Sequence, residues 1–181
     1  MSNPMDEILA IPLEDALRRN AVDAAIFAPF VIARLRAEPE NSQADLWVRM
    51  DNETGNEQHA LHVRLHWNNR NAFSHPIAVQ ERVVTEWAAL GVACALLPAL
   101  FGMYIVSVAL EGERFDYRVS DGVTEWGLEV SGTMMEDAKE ARERLRLKLR
   151  QFHDNPYGIM GYVLVVAFVR QEVLVSLPDP A

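Results

Sequence analysis

The chain has 181 residues, half of them hydrophobic and 24% charged, with a net charge of −9 and a single cysteine. That length accommodates one full domain with a small extension, and the composition is that of an ordinary soluble globular protein. One cysteine excludes a disulfide framework or a cysteine-based zinc site within the chain, and the acidic balance excludes broad polyanion binding unless a local basic patch supplies it.

The N-terminus, MSNPMDEILAIPLEDALRRN, lacks the basic-then-apolar pattern of a secretory signal. A cytoplasmic, reducing setting with Cys94 as a buried inert thiol is therefore expected. Residues 5–37 read as helical, with Ile8, Leu9, Ile11 and Leu13 apolar, Pro12 near the start of a turn and Pro29 interrupting the later part. Residues 38–43 are a polar connection. In residues 45–51, Leu46, Val48 and Met50 alternate with Trp47 and Arg49. In residues 59–67, Leu61, Val63, Leu65 and Trp67 alternate with His62, Arg64 and His66. With a turn at residues 52–56 these predict a β-hairpin. The loop at 68–76 marks a boundary, dividing an N-terminal extension (1–76) from a core (77–181) within one compact domain.

Residues 78–97 form the longest helical run. Val79, Val83, Trp87, Leu90 and Cys94 mark its expected buried stripe, and Pro98 its expected end. The uncharged stretch from Ala88 to Leu110 is long enough to cross a bilayer. Pro98, Gly102, the change to strand formers after Met103 and the lack of flanking Lys or Arg clusters point instead to a buried helix followed by a buried strand.

Strands are expected at 103–110, 114–120 and 125–131, the last two joined by a tight Asp121-Gly122 turn. A charged helix follows at 136–152, with Leu145, Leu149 and Phe152 inward, closed by 156–158. The run GYVLVVAFVR at 161–170 suits a central strand buried on both faces, and 172–177 a last, more exposed strand. The fold class is α/β, a mixed central sheet flanked by helices, with the N-terminal hairpin either extending that sheet or forming a separate layer.

Two acids stand out. Asp116 and Glu129 each sit in otherwise apolar strand sequence, where an unpaired buried carboxylate is costly. Across a tight turn the two positions can face one another. They would repel unless something positive intervened, and Mg²⁺ (or Mn²⁺) held by carboxylates is one answer. A cation there could activate water and stabilise charge on a phosphodiester. The other answer is local ion pairing, with Arg114 or Arg118.

The αβββαβ order over residues 78–177, with an Asp on its second strand and Glu129-Val130-Ser131 on its third, resembles the core of the PD-(D/E)XK nuclease superfamily, the restriction-endonuclease-like fold. The resemblance implies a metal-dependent phosphodiesterase acting on DNA or RNA. It implies Asp116 and Glu129 as ligands of Mg²⁺ (or Mn²⁺), the Val130 backbone carbonyl as a further ligand and Glu86 as the additional acid some members place on the preceding helix. The family's lysine belongs two residues after the second acid, where this chain has Ser131, which carries no positive charge. Some members supply that lysine from elsewhere, often the following helix, which makes Lys139 and Lys148 the candidates. The GLEVSGT run also resembles uncharacterised bacterial proteins.

On the charged helix, Arg142, Arg146 and Arg150 repeat every fourth residue on one face. They are the local basic patch that a nucleic-acid backbone requires, or a solvated face whose cations pair with Glu136, Glu140 and Glu143. His62 and His66 flank Arg64 on one strand face, as expected of a solvated hairpin rather than a metal site. None of G-x-S-x-G, a Walker loop, G-x-G-x-x-G or H-E-x-x-H occurs. The alternative to an enzyme is a catalytically inactive binding or interaction module of the same fold. In that case apolar surface at Trp47 or Trp67 would meet a protein partner or a second copy.

Overall fold

Where apolar residues alternate, the chain forms the flank of a sheet; where they run unbroken, its centre. In the computed structural model, which describes residues 8–51 and 57–178, Leu46, Val48 and Met50 of β2 (Gln43–Asp51) turn inward, as do Val63 and Leu65 of β3 (Glu57–His66). The two strands pair antiparallel, while the turn expected at 52–56 lies outside the described residues. β7 (Gly161–Ala167) is buried almost throughout, as its unbroken apolar run requires.

β8 (Glu172–Ser176) departs from expectation. All of its residues are buried, because it lies between β7 and β2 rather than at an edge. The hairpin thus extends the sheet. A further correction concerns residues 5–37, which are not all helical. Ile8–Pro12 form β1, running parallel to β3, and only then come α1 (Leu13–Arg18) and α2 (Ala28–Leu35). The short Ile-Leu-Ala-Ile run cannot choose a period by itself, and the bare edge of β3 decides it.

The second half adds α3 (Glu81–Leu100), β4 (Tyr104–Val108), β5 (Tyr117–Ser120), β6 (Glu125–Thr133) and α4 (Ala138–His153) before β7. This is the αβββαβ order. The result is one eight-stranded mixed sheet, ordered β1-β3-β2-β8-β7-β6-β5-β4. One core lies between the sheet and α1, α2 and α3, and a smaller one beneath α4. Gly161 and Gly127 face each other where β6 and β7 begin, and a Cβ on Gly161 would fall 1.9 Å from the Gly127 carbonyl oxygen.

α3 corrects two readings. From Ala88 to Pro98 it is buried all round, since α1 and α2 pack on the side away from the sheet, so the apolar length that would suit a bilayer is spent inside the fold. The stripe drawn through Val83 and Trp87 does not hold, because Trp87 is 43% exposed. Nor does Pro98 end the helix. Proline has no N–H to give the Cys94 carbonyl, and the Asn20 side chain donates to that oxygen instead, at 3.0 Å. Asn20 Oδ1 in turn accepts from the Ile105 amide at 2.9 Å, tying α3 to β4. Cys94 is fully buried, which pushes its thiol up to about 12.

β5 is shorter than expected. Arg114 adopts φ 62° and residues 111–116 turn, so pairing begins only at Tyr117 and Asp116 lies just ahead of the strand.

Candidate active site

β5 pairs with β6 only as far as Leu128, whereas β6 runs on to Thr133 against β7. Beyond Leu128 the other edge of β6 is therefore bare, and its amides need acceptors. Two carboxylates supply them. Asp116 Oδ2 accepts from the Val130 amide at 3.0 Å, and Glu86 Oε2, reaching over from α3, accepts from the Gly132 amide at 3.0 Å. α3 can come this close because Gly132 has no side chain: a Cβ there would sit 2.6 Å from the Thr85 carbonyl oxygen.

Extending the β5–β6 register by one step puts Asp116 opposite Glu129, as the hairpin spacing predicts. Glu129 points to the α4 side of the sheet and is completely buried. Lys148 of α4 brings its Nζ to 2.5 Å from Glu129 Oε1, while Oε2 is buried without a hydrogen-bond partner. Burial, and then the neighbouring Asp116 charge, push the Glu129 carboxyl up to about 7, with Lys148 pulling the other way. Glu129 is thus poised between its neutral and ionised forms near neutral pH.

Ser131 lies on β6, two residues after Glu129. Its Oγ accepts from Arg144 Nη1 at 2.8 Å and donates to Glu86 Oε1 at 3.4 Å. Arg144 itself stands 3.8 Å from Glu86. Around these groups lies an open cavity of about 270 Å³ lined by Glu86, Trp87, Asp116, Tyr117, Val130 and Lys148. A groove of about 500 Å³, lined by Thr133, Met135, Arg144 and Leu147 among others, adjoins it across Lys148.

The structure gathers Asp116, Glu129, Val130, Glu86 and Lys148, but not Lys139, which is 79% exposed and stands 3.9 Å from Glu143. At about 100° per residue along α4, the exposed Arg142, Arg146 and Arg150 fall on the flank opposite Arg144 and Lys148, away from the cavity. The local pairing expected of Arg114 or Arg118 does not occur: Arg118 bonds Glu113 and Glu125, and Arg114 is exposed. His62 lies 3.3 Å from Asp45 and stacks on Trp47, while Arg64 bonds Asp45, so this is a polar hairpin face. Trp67 is buried and donates to Asn69, which removes it as apolar surface; Trp47 stays exposed. Trp87 and Arg144 were not expected at the site. The Trp87 spacing matched a core stripe, and Arg144 was one cation among several.

Two carboxylates beside a strand-edge carbonyl are hard oxygen donors suited to Mg²⁺ or Mn²⁺. A residue's N–H and C=O leave a strand on the same side, so the Val130 carbonyl shares the bare edge with its Asp116-bound amide. The unpartnered Glu129 Oε2 and the mutual repulsion of the two acids are what a cation would relieve. Among the described residues no group of three or more His, Cys, Asp or Glu converges to hold a metal. No protein-family profile, curated protein or solved structure matches this chain.

Proposed function

We propose that this chain is a nuclease-like, metal-dependent phosphodiesterase acting on DNA or RNA. The observation that carries the reading is that Asp116 and Lys148, a lysine contributed by the following helix, line one open cavity, with Glu129 buried behind it in contact with Lys148. Asp116, Glu129 and the Val130 carbonyl would hold Mg²⁺ or Mn²⁺. When bound, the cation would supply a water of lowered pKa and neutralise charge developing on the phosphate.

The chain's own groups do the rest. Lys148 stands in for the lysine that Ser131 replaces, placing an ammonium where it can hold a phosphate oxygen or orient the attacking water. Glu86 and Arg144 brace the Ser131–Gly132 segment. Their contacts keep the bare edge of β6 fixed, so the ligands are preorganised.

Calorimetric titration of Mn²⁺ or Mg²⁺ tests this, with the Asp116→Ala, Glu129→Ala double variant alongside. Binding by the wild type that disappears in the variant is expected, followed by cleavage of nucleic acid by the wild type alone. A wild type that binds no metal at millimolar concentration, and cleaves nothing in its presence, would refute it. One observation favours the rival reading, an inactive binding module: Asp116 and Glu86 already serve as backbone caps and Glu129 already has a cation partner.

A further inference from the structure

Trp87 is the one large aromatic side chain at the cavity that is substantially exposed. It is 43% exposed, follows Glu86 directly on α3 and lines the same cavity as Asp116 and Lys148. Its ring is also held. Phe30 of α2 meets it edge-to-face at 4.8 Å, and Phe73 meets Phe30 in the same way at 5.0 Å. A braced ring loses little freedom when something flat is laid on it, whereas its exposed surface remains in water until then.

The charges around the cavity point the same way. Lys148 and Arg144, the cations at this site, are already engaged by Glu129, Ser131 and Glu86. The three exposed arginines Arg142, Arg146 and Arg150 lie on the other flank of α4, and the chain as a whole carries −9. Duplex binding draws its affinity mainly from many phosphate contacts, which this surface is poorly equipped to make. A single strand can offer a base face as well as a phosphate, and base–aromatic stacking is the term that does not depend on positive charge.

We propose that Trp87 is a stacking platform for an unpaired base next to the scissile phosphate, so that the substrate is single-stranded nucleic acid. This rests on the phosphodiesterase reading above and narrows its substrate class. Tyr117, which also lines the cavity, is half-buried and does not present a comparable open face.

The test is steady-state cleavage, with Mn²⁺ present, of oligodeoxythymidylate, oligouridylate, an abasic oligomer of equal length and a duplex. Wild type, Trp87→Leu and Trp87→Tyr are compared, each checked for intact folding and for unchanged metal binding by calorimetry. Expected are preference for single strands over duplex and over the abasic oligomer, and a KM raised roughly ten- to hundredfold in Trp87→Leu. The rise should leave kcat little changed and be largely reversed in Trp87→Tyr; the two homopolymers separate DNA from RNA. Equal use of duplex and single strand, or a Trp87→Leu KM within about twofold of wild type, overturns the platform while leaving the phosphodiesterase reading intact. A wild type that binds no metal and cleaves none of the four overturns both.

Discussion

The titration of Glu129 offers a stability measurement that needs no substrate. Its carboxyl lies near 7 in the folded chain against an ordinary 4.5, chiefly through burial and then through Asp116. A carboxyl raised in this way binds its proton more tightly folded than unfolded, so stability falls as pH rises from about 4.5 through about 7. At about 1.4 kcal/mol per pH unit the gap corresponds to roughly 3 kcal/mol of stability lost by pH 8 relative to pH 4.5. Asp45 and Glu113, each held down by a hydrogen bond from an arginine, and Asp121, held down by backbone amides, act in the opposite sense. They contribute stability above the ordinary carboxylate range that is lost on acidification below it, in a lower window. The assay is urea unfolding of wild type and Glu129→Gln at intervals between pH 4.5 and 8. The wild-type curve minus the variant curve should slope downward over that range, and millimolar Mn²⁺ should flatten it, because a bound cation favours the ionised carboxylate. A flat or rising difference without metal would show that Glu129 does not carry the raised affinity for a proton, and the description of the pair would be wrong.

Three further outcomes are expected. Lys148→Met removes the only contact that pulls Glu129 down, so the downward slope should extend above pH 7 and cleavage should fall roughly a hundredfold or more; unaltered cleavage would place the essential cation elsewhere. Asn20→Ala strands the Cys94 carbonyl and the Ile105 amide, both buried, and should cost about 1–3 kcal/mol in urea unfolding without affecting metal binding. Glu86→Gln keeps an oxygen for the Gly132 amide, so calorimetry should find metal affinity within about tenfold of wild type; complete loss would make Glu86 a direct ligand.

What could be read from the residues was whatever short-range pattern decides. The unbroken GYVLVVA run, the alternation across Leu61–Trp67 and the Asp121-Gly122 turn each became the element they suggest. The mutual approach of Asp116 and Glu129 followed from hairpin spacing alone. What stayed hidden depends on partners distant in sequence. The Ile8–Pro12 segment becomes a strand because β3 offers it an edge, and β8 is buried because β2 joins its far side. Pro98 is tolerated because Asn20, 74 residues from Cys94, satisfies the carbonyl that the proline cannot. Trp87 sits at a core spacing, yet with Phe30 of α2 against its ring it is still 43% exposed and lines the cavity.

The three acids are committed to different degrees. Glu86 lines the cavity but commits Oε2 to the Gly132 amide, with Oε1 3.4 Å from Ser131 Oγ and 3.8 Å from Arg144. Asp116 commits only Oδ2, to the Val130 amide. Glu129 commits only Oε1, to Lys148. The two acids that the hairpin sets opposite each other are close enough to share a hydrogen bond when Glu129 is protonated, and Glu86 helps hold the strand edge they stand on. A strand edge fixed in this way is costly to leave open, since its amides must be capped by carboxylates from α3 and from the turn before β5. A fold needing β6 only for its core would meet the same demand more simply by extending β5 two residues further. β5 begins only at Tyr117, behind a turn that carries Arg114 at φ 62°, and Asp116 of that turn lines the cavity together with Lys148 and Trp87.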